Sequence, residues 1–120
     1  MHLAALLVGL IACLAIIVLG ARFILQPRQA TLAFGIAADN LRGLTEIKGA
    51  RDITSGAVLL VAWAAAGRTT LGWVLVAAAI TPTADALIVL TNGGRRSKAL
   101  GVHGPTAALL VAAGLVLALA

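Results

Sequence analysis

The sequence predicts an all-α fold, a polytopic membrane protein built as a bundle of four transmembrane helices. Three observations carry this expectation. Of 120 residues, 62% are hydrophobic and 11% charged, with a mean hydropathy of +1.09, whereas soluble domains are about 45–50% apolar and about 25% charged. Four apolar segments, at about 3–25, 47–66, 70–91 and 104–120, occupy most of the chain. A span needs about 20 such residues, so four of them leave room for a single membrane domain, 1–120. The cations, finally, gather in two of the connections between these segments.

The first segment carries one charge, Arg22, near its end. Only His2 precedes its apolar run, which is longer than the 7–15 residues of a signal-peptide core, and no A-x-A cleavage site is followed by a soluble domain. It therefore reads as a retained span. Between the second and third segments lies only "GRTT", Gly67–Thr70, so these two should be antiparallel neighbours. The fourth, "GPTAALLVAAGLVLALA", is the shortest. The long connection after the first segment mixes Leu32, Phe34, Ile36 and Leu41 with Asp39, Asn40 and Arg42. It suits a short interfacial helix or a cytoplasmic lid over about 27–45, with Gly35 and Gly43 as its breaks.

Placing the spans alternately across a bilayer puts Arg22, Arg28, Arg42, Lys48, Arg51, Arg95, Arg96 and Lys98 on one side and Arg68 alone on the other. Cytoplasmic connections are enriched in Lys and Arg. The expected arrangement is an inner-membrane protein with both termini outside and both polar connections in the cytoplasm. The net charge of +5 is thus a topology signal that also attracts anionic headgroups. With two Trp, two Phe and no Tyr there is no aromatic platform for nucleic acid. The single cysteine, Cys13, excludes both an internal disulfide and a paired-thiol oxidoreductase. No motif calls for a cofactor or a metal.

Polar residues should converge near the cytoplasmic face. Arg51 and Asp52 lie one to two turns into the second span, and Asp85 lies seven residues before Asn92 at the end of the third, about 10 Å deep. A charge left alone in hydrocarbon is costly, so Asp85 is expected to pair with Arg51. Asp52 should face the same pocket, with Arg22, Asp39, Asn40, Glu46, Thr81 and His103 as further lining. Gly49, Asp52 and Gly56 share a helix face that small residues suit for close packing, whereas Gly114 reads as the looser position. Pro82 frees a carbonyl one turn earlier, which Thr81 and Thr83 can serve.

The segments "FGI" (34–36), "KGARDITSG" (48–56) and "GRRSKALGVHG" (94–104) resemble a family of small bacterial and fungal four-helix membrane proteins of uncharacterised function. The layout is also similar to that of DoxX-like membrane proteins. The resemblance implies a four-helix bundle and no activity. Small multidrug transporters are of similar size but use an acid in the first span, which this one lacks.

Three roles fit these residues. The first is an accessory protein, or one that binds a lipophilic small molecule, partnered by the bilayer or by another membrane protein. The second is an enzyme on a lipophilic substrate, of isomerase or cyclase type, with Asp85 or Asp52 as general acid and Arg51 steadying negative charge. The third is a proton-coupled carrier using Asp85, which the sparsely polar outer half disfavours.

Overall fold

The computed structural model describes residues 2–120. Among them every regular element is helical. The chain divides into two compact units, Met1–Lys48 and Gly49–Ala120.

In the first unit, α1 (His2–Leu25) is a 24-residue apolar helix with no buried residue. It ends because Gln26 leaves helical geometry (φ −135°, ψ 62°) ahead of Pro27. The residue before a proline is pushed out of the α region, and Pro27 then opens the eight-residue α2 (Pro27–Phe34) at the position where its missing N–H costs nothing. Phe23 and Phe34 meet edge to face, with ring centroids 6.2 Å apart. Ala30 and Thr31 are buried, and the Thr31 hydroxyl donates to the Pro27 carbonyl at 2.6 Å. Gly35 stops α2 at φ 112°, with its N–H on Leu32 and that of Ile36 on Thr31. This paired bonding closes a helix when the next residue is left-handed.

A short turn then leads into α3 (Leu41–Ala78). Asn40 caps it, accepting the Gly43 N–H on Oδ1 at 2.9 Å. The absence of a side chain at Gly43 leaves room for Ile36, whose Cδ1 would stand 2.9 Å from a Cβ there. Within the expected interfacial stretch 27–45, the structure thus has an eight-residue helix, a capped turn and the first residues of α3.

In the second unit α3 continues to Ala78 with one interruption, Gly67 (φ 79°, ψ −172°). That conformation is essentially restricted to glycine. The expected "GRTT" link is therefore one residue long, because Arg68, Thr69 and Thr70 are already helical. α4 (Ile80–Thr91) follows after Ala79. The cause of this second discontinuity is Pro82, which has no N–H for the carbonyl four residues back and crowds it. The threonine bonding differs from expectation: the Thr83 hydroxyl donates to the Ala79 carbonyl at 2.7 Å, where the Thr83 N–H also ends.

Gly93 (φ 72°) terminates α4, with the Gly94 N–H reaching Val89 at 2.7 Å. The single turn α5 (Arg96–Lys98) leads into a wide π-helical turn, Ala99–His103, and then α6 (Gly104–Leu119). Pro105 opens α6, and the Thr106 hydroxyl serves the Val102 carbonyl at 2.6 Å. Three stretches, His2–Leu25, Leu41–Thr91 and Arg96–Leu119, are long and apolar enough to cross a membrane.

Close packing in this unit centres on Gly72 and Gly114, both buried. A Cβ at Gly72 would stand 2.5 Å from the Ala118 nitrogen and the Gly114 carbonyl oxygen. One at Gly114 would stand 2.7 Å from the Gly72 oxygen and 2.8 Å from Val76 Cγ2. The expectation that Gly49 and Gly56 mark the close approach, with Gly114 looser, is overturned: nothing lies within 4 Å of a Cβ at Gly49 or Gly56. Helical periodicity identifies a small-residue face but not what stands opposite it.

Alanine substitution separates the two kinds of glycine by sign. Gly72→Ala forces two backbones apart and should cost about 1–3 kcal/mol. Gly56→Ala, mid-helix and unobstructed, should gain up to about 1 kcal/mol. Equilibrium unfolding of both variants in detergent measures the difference, and equal effects would remove the interface.

Candidate functional site

The polar residues of the first unit resolve into local structural roles. Arg22 closes α1, where a cation is favoured by the negative end of the helix dipole. Asn40, expected to line a pocket, has its amide oxygen committed to the cap of α3. Glu46 accepts from Arg42 Nε at 2.8 Å, one turn away on an exposed face. Pairs of this kind contribute about 0.3–0.5 kcal/mol. Asp39 is exposed in the turn just before the cap.

In the second unit, Arg51 and Asp52 are exposed on α3, and both are engaged in interactions, as is Lys48 at the end of the first unit. Thr81 is exposed, and Asp85 and His103 are half-buried. Among the described residues no hydrogen bond or ion pair reaches the Asp85 carboxylate, so the expected Arg51–Asp85 pair is not made. A helix wheel places Asp85 relative to the packing face of α4. At about 100° per residue, the buried or half-buried face of α4 runs through Pro82, Ala86 and Val89, and Asp85 sits on one flank of it. The same described residues hold no group of three His, Cys, Asp or Glu side chains able to bind a metal ion.

The opposite flank forms a feature that sequence reasoning missed. Val76, Ala79, Ile80, Thr83, Ala84, Leu87 and, from α6, Val111 line an open groove of about 420 Å³. None of the nine residues expected to line a pocket takes part in it. Its one hydroxyl, on Thr83, is turned inward to the Ala79 carbonyl, which leaves the wall effectively apolar. Small Ala79 and Ala84 alternate with larger Val76, Ile80 and Leu87, and that alternation was visible in the sequence. The partner Val111 was not, because it comes from a helix 24 residues beyond Leu87.

The remaining polar concentration is the turn after α4. Arg95, Arg96 and Lys98 are all exposed, while Ala99, immediately after them, is fully buried. The turn is therefore fixed to the unit on its apolar side and displays its cations outward.

The role of Asn40 is open to direct measurement. As a helix cap, Asn40→Ala should cost about 1 kcal/mol and Asn40→Asp should be nearly neutral. Thermal unfolding of the two variants tests this, and equal losses in both would show that the amide itself is needed.

A family model described as a domain of unknown function (DUF4267) matches residues 13–117. The chain belongs to that family. No curated protein and no solved structure matches it.

Proposed function

We propose that this member of the DUF4267 family is a four-span membrane protein that holds a lipophilic small molecule or hydrocarbon chain, as a binding or accessory component rather than an enzyme. The groove between α4 and α6 carries this reading. It is lined almost wholly by aliphatic side chains, is open along its length, and has a volume of about 420 Å³, within the size range of small-molecule sites. Catalysis by Asp85, Asp52 or Arg51 would require one of these groups in the wall of a binding cavity, and none lines this groove. The likeness to DoxX-like proteins rests on layout alone.

The four-span arrangement follows from lengths. Leu41–Thr91 covers 51 residues, about twice a span, and Gly67 divides it near the middle. With α1 and the Arg96–Leu119 stretch this makes four crossings. The eight-to-one division of cations then orients both termini outward and both polar connections toward the cytoplasm of the bacterial inner membrane. Ser97→Cys should accordingly resist an impermeant thiol reagent added from outside, and Thr69→Cys should react. The reverse labelling would invert the orientation.

The binding role is tested by filling the groove. Native mass spectrometry of the detergent-solubilised chain, titrated with dioleoyl phosphatidylcholine, should show retained lipid. Ala84→Phe should reduce that retention about tenfold, with helicity by circular dichroism unchanged, because the added ring removes the volume the chain would occupy. Undiminished retention in a folded Ala84→Phe protein would refute the groove as the binding site.

A further inference from the structure

We infer that the groove and the basic turn beside it form one site for an anionic glycerophospholipid, with an acyl chain along α4 and the phosphate held by Arg95, Arg96 and Lys98. This rests on the groove being a binding site for hydrocarbon, and it adds the chemical class of the occupant.

The first observation is alignment along one helix. The groove extends from Val76, near the end of α3, along α4 to Leu87. Leu87 is one turn, about 6 Å, from the end of α4 at Thr91. The tight closure at Gly93 and Gly94 follows at once, with the Gly94 N–H on Val89, and the three cations come within the next four residues. Hydrocarbon-binding surface and positive charge thus succeed one another along the helix axis in the order in which a lipid presents acyl chain and phosphate.

The second observation is that the charge is displayed and uncompensated. Arg95, Arg96 and Lys98 are exposed, and among the described residues no hydrogen bond or ion pair engages their side chains. After Asp85 the sequence contains no acidic residue, so this part of the chain offers no counter-ion of its own. The contrast is Arg42, whose guanidinium is taken by Glu46.

The third observation is that the turn is anchored. Ala99 is fully buried, the Lys98 and Ala99 N–H groups both close on the Arg95 carbonyl, and the π-helical turn packs against α4 and α6. A cationic segment held in place loses less entropy on binding than a free tail. Guanidinium groups are suited to phosphate because their paired N–H donors match two of its oxygens. Carrying net negative charge distinguishes the expected lipid from the zwitterionic majority, since juxtamembrane cations discriminate by headgroup charge.

The test compares lipids that differ only in headgroup charge. Native mass spectrometry of the full chain, titrated in parallel with dioleoyl phosphatidylglycerol and dioleoyl phosphatidylcholine, should show about tenfold tighter retention of the anionic lipid. The triple variant Arg95→Gln/Arg96→Gln/Lys98→Gln should abolish that preference while still retaining phosphatidylcholine. Inorganic phosphate at millimolar concentration should not compete, because it lacks the acyl chain. A preference that survives in the triple variant, or effective competition by phosphate alone, would overturn the inference. Ala84→Phe distinguishes the two readings. If it leaves all lipid retention intact, the groove reading fails and this inference with it. If it removes retention of both lipids but the wild-type chain shows no headgroup preference, the groove reading stands and only the anionic assignment falls. Should the triple variant unfold, Lys98→Gln alone, read by the same ratio of the two lipids, must still lower the preference.

Discussion

The second unit depends on the contact of two backbones at Gly72 and Gly114. A Cβ at either glycine would meet main-chain atoms of the other helix, so a methyl group there forces the two backbones apart. In hydrocarbon, apolar side chains gain nothing by leaving lipid for one another, and helices associate through dispersion contacts that only close approach makes large. Once Gly72 meets Gly114 and Ala118, the rest of the register is set. Val76 packs on Gly114, Arg68 donates to the Ala120 carbonyl at 2.9 Å, and Val111 falls beside the Ala79 turn of the other helix. The direction of these pairings makes the two segments antiparallel. The groove is the continuation of the same seam, where Ala79 and Ala84 are too small to fill the space between larger neighbours.

Proline and threonine recur together in the second unit. Pro82 and Pro105 each interrupt a helical ladder, and each is followed by a threonine whose hydroxyl donates to a carbonyl four residues back. In each case the acceptor lies one residue after the carbonyl that the proline leaves without its helical donor, so the hydroxyl is turned inward without replacing the lost bond. The result at Pro82 bears on the groove directly. The hydroxyl that could have made its wall polar is turned back onto the Ala79 carbonyl, and the lining of the groove is almost wholly aliphatic.

The polar residues divide by whether a local partner absorbs them. Asn40, Arg42 and Glu46 are used within one turn of helix, which is why residue types that suggested a pocket rim turned out to be a cap and an exposed ion pair. Arg95, Arg96 and Lys98 have no such partner nearby in sequence, and the buried Ala99 holds them at the end of two apolar helices. Asp85 is the residue for which sequence reasoning departs most from the structure. Its azimuth places it on the far flank of α4 from the groove.

What the sequence determined by itself is whatever depends on neighbours along the chain. Composition and apolar run length determined that the protein is helical and has segments suited to a membrane. The glycines at 35, 67 and 93 determined where helices stop, because the left-handed backbone they adopt is open to few other residues. The motifs around Lys48–Gly56 and Gly94–Gly104 pointed to an uncharacterised family. Tertiary structure decided the pairings. Gly49, Gly56, Gly72 and Gly114 are equivalent as letters, and a helix wheel assigns each to a face without saying what lies across from it. Only the fold reveals that Gly72 and Gly114 oppose each other while Gly49 and Gly56 oppose nothing within 4 Å. The same holds for the groove, whose two walls are separated in sequence by the end of α4, α5, the π-helical turn and the start of α6. Packing energy in lipid comes from atoms brought together across helices, and that complementarity is a property of two surfaces at once, which no single stretch of sequence contains.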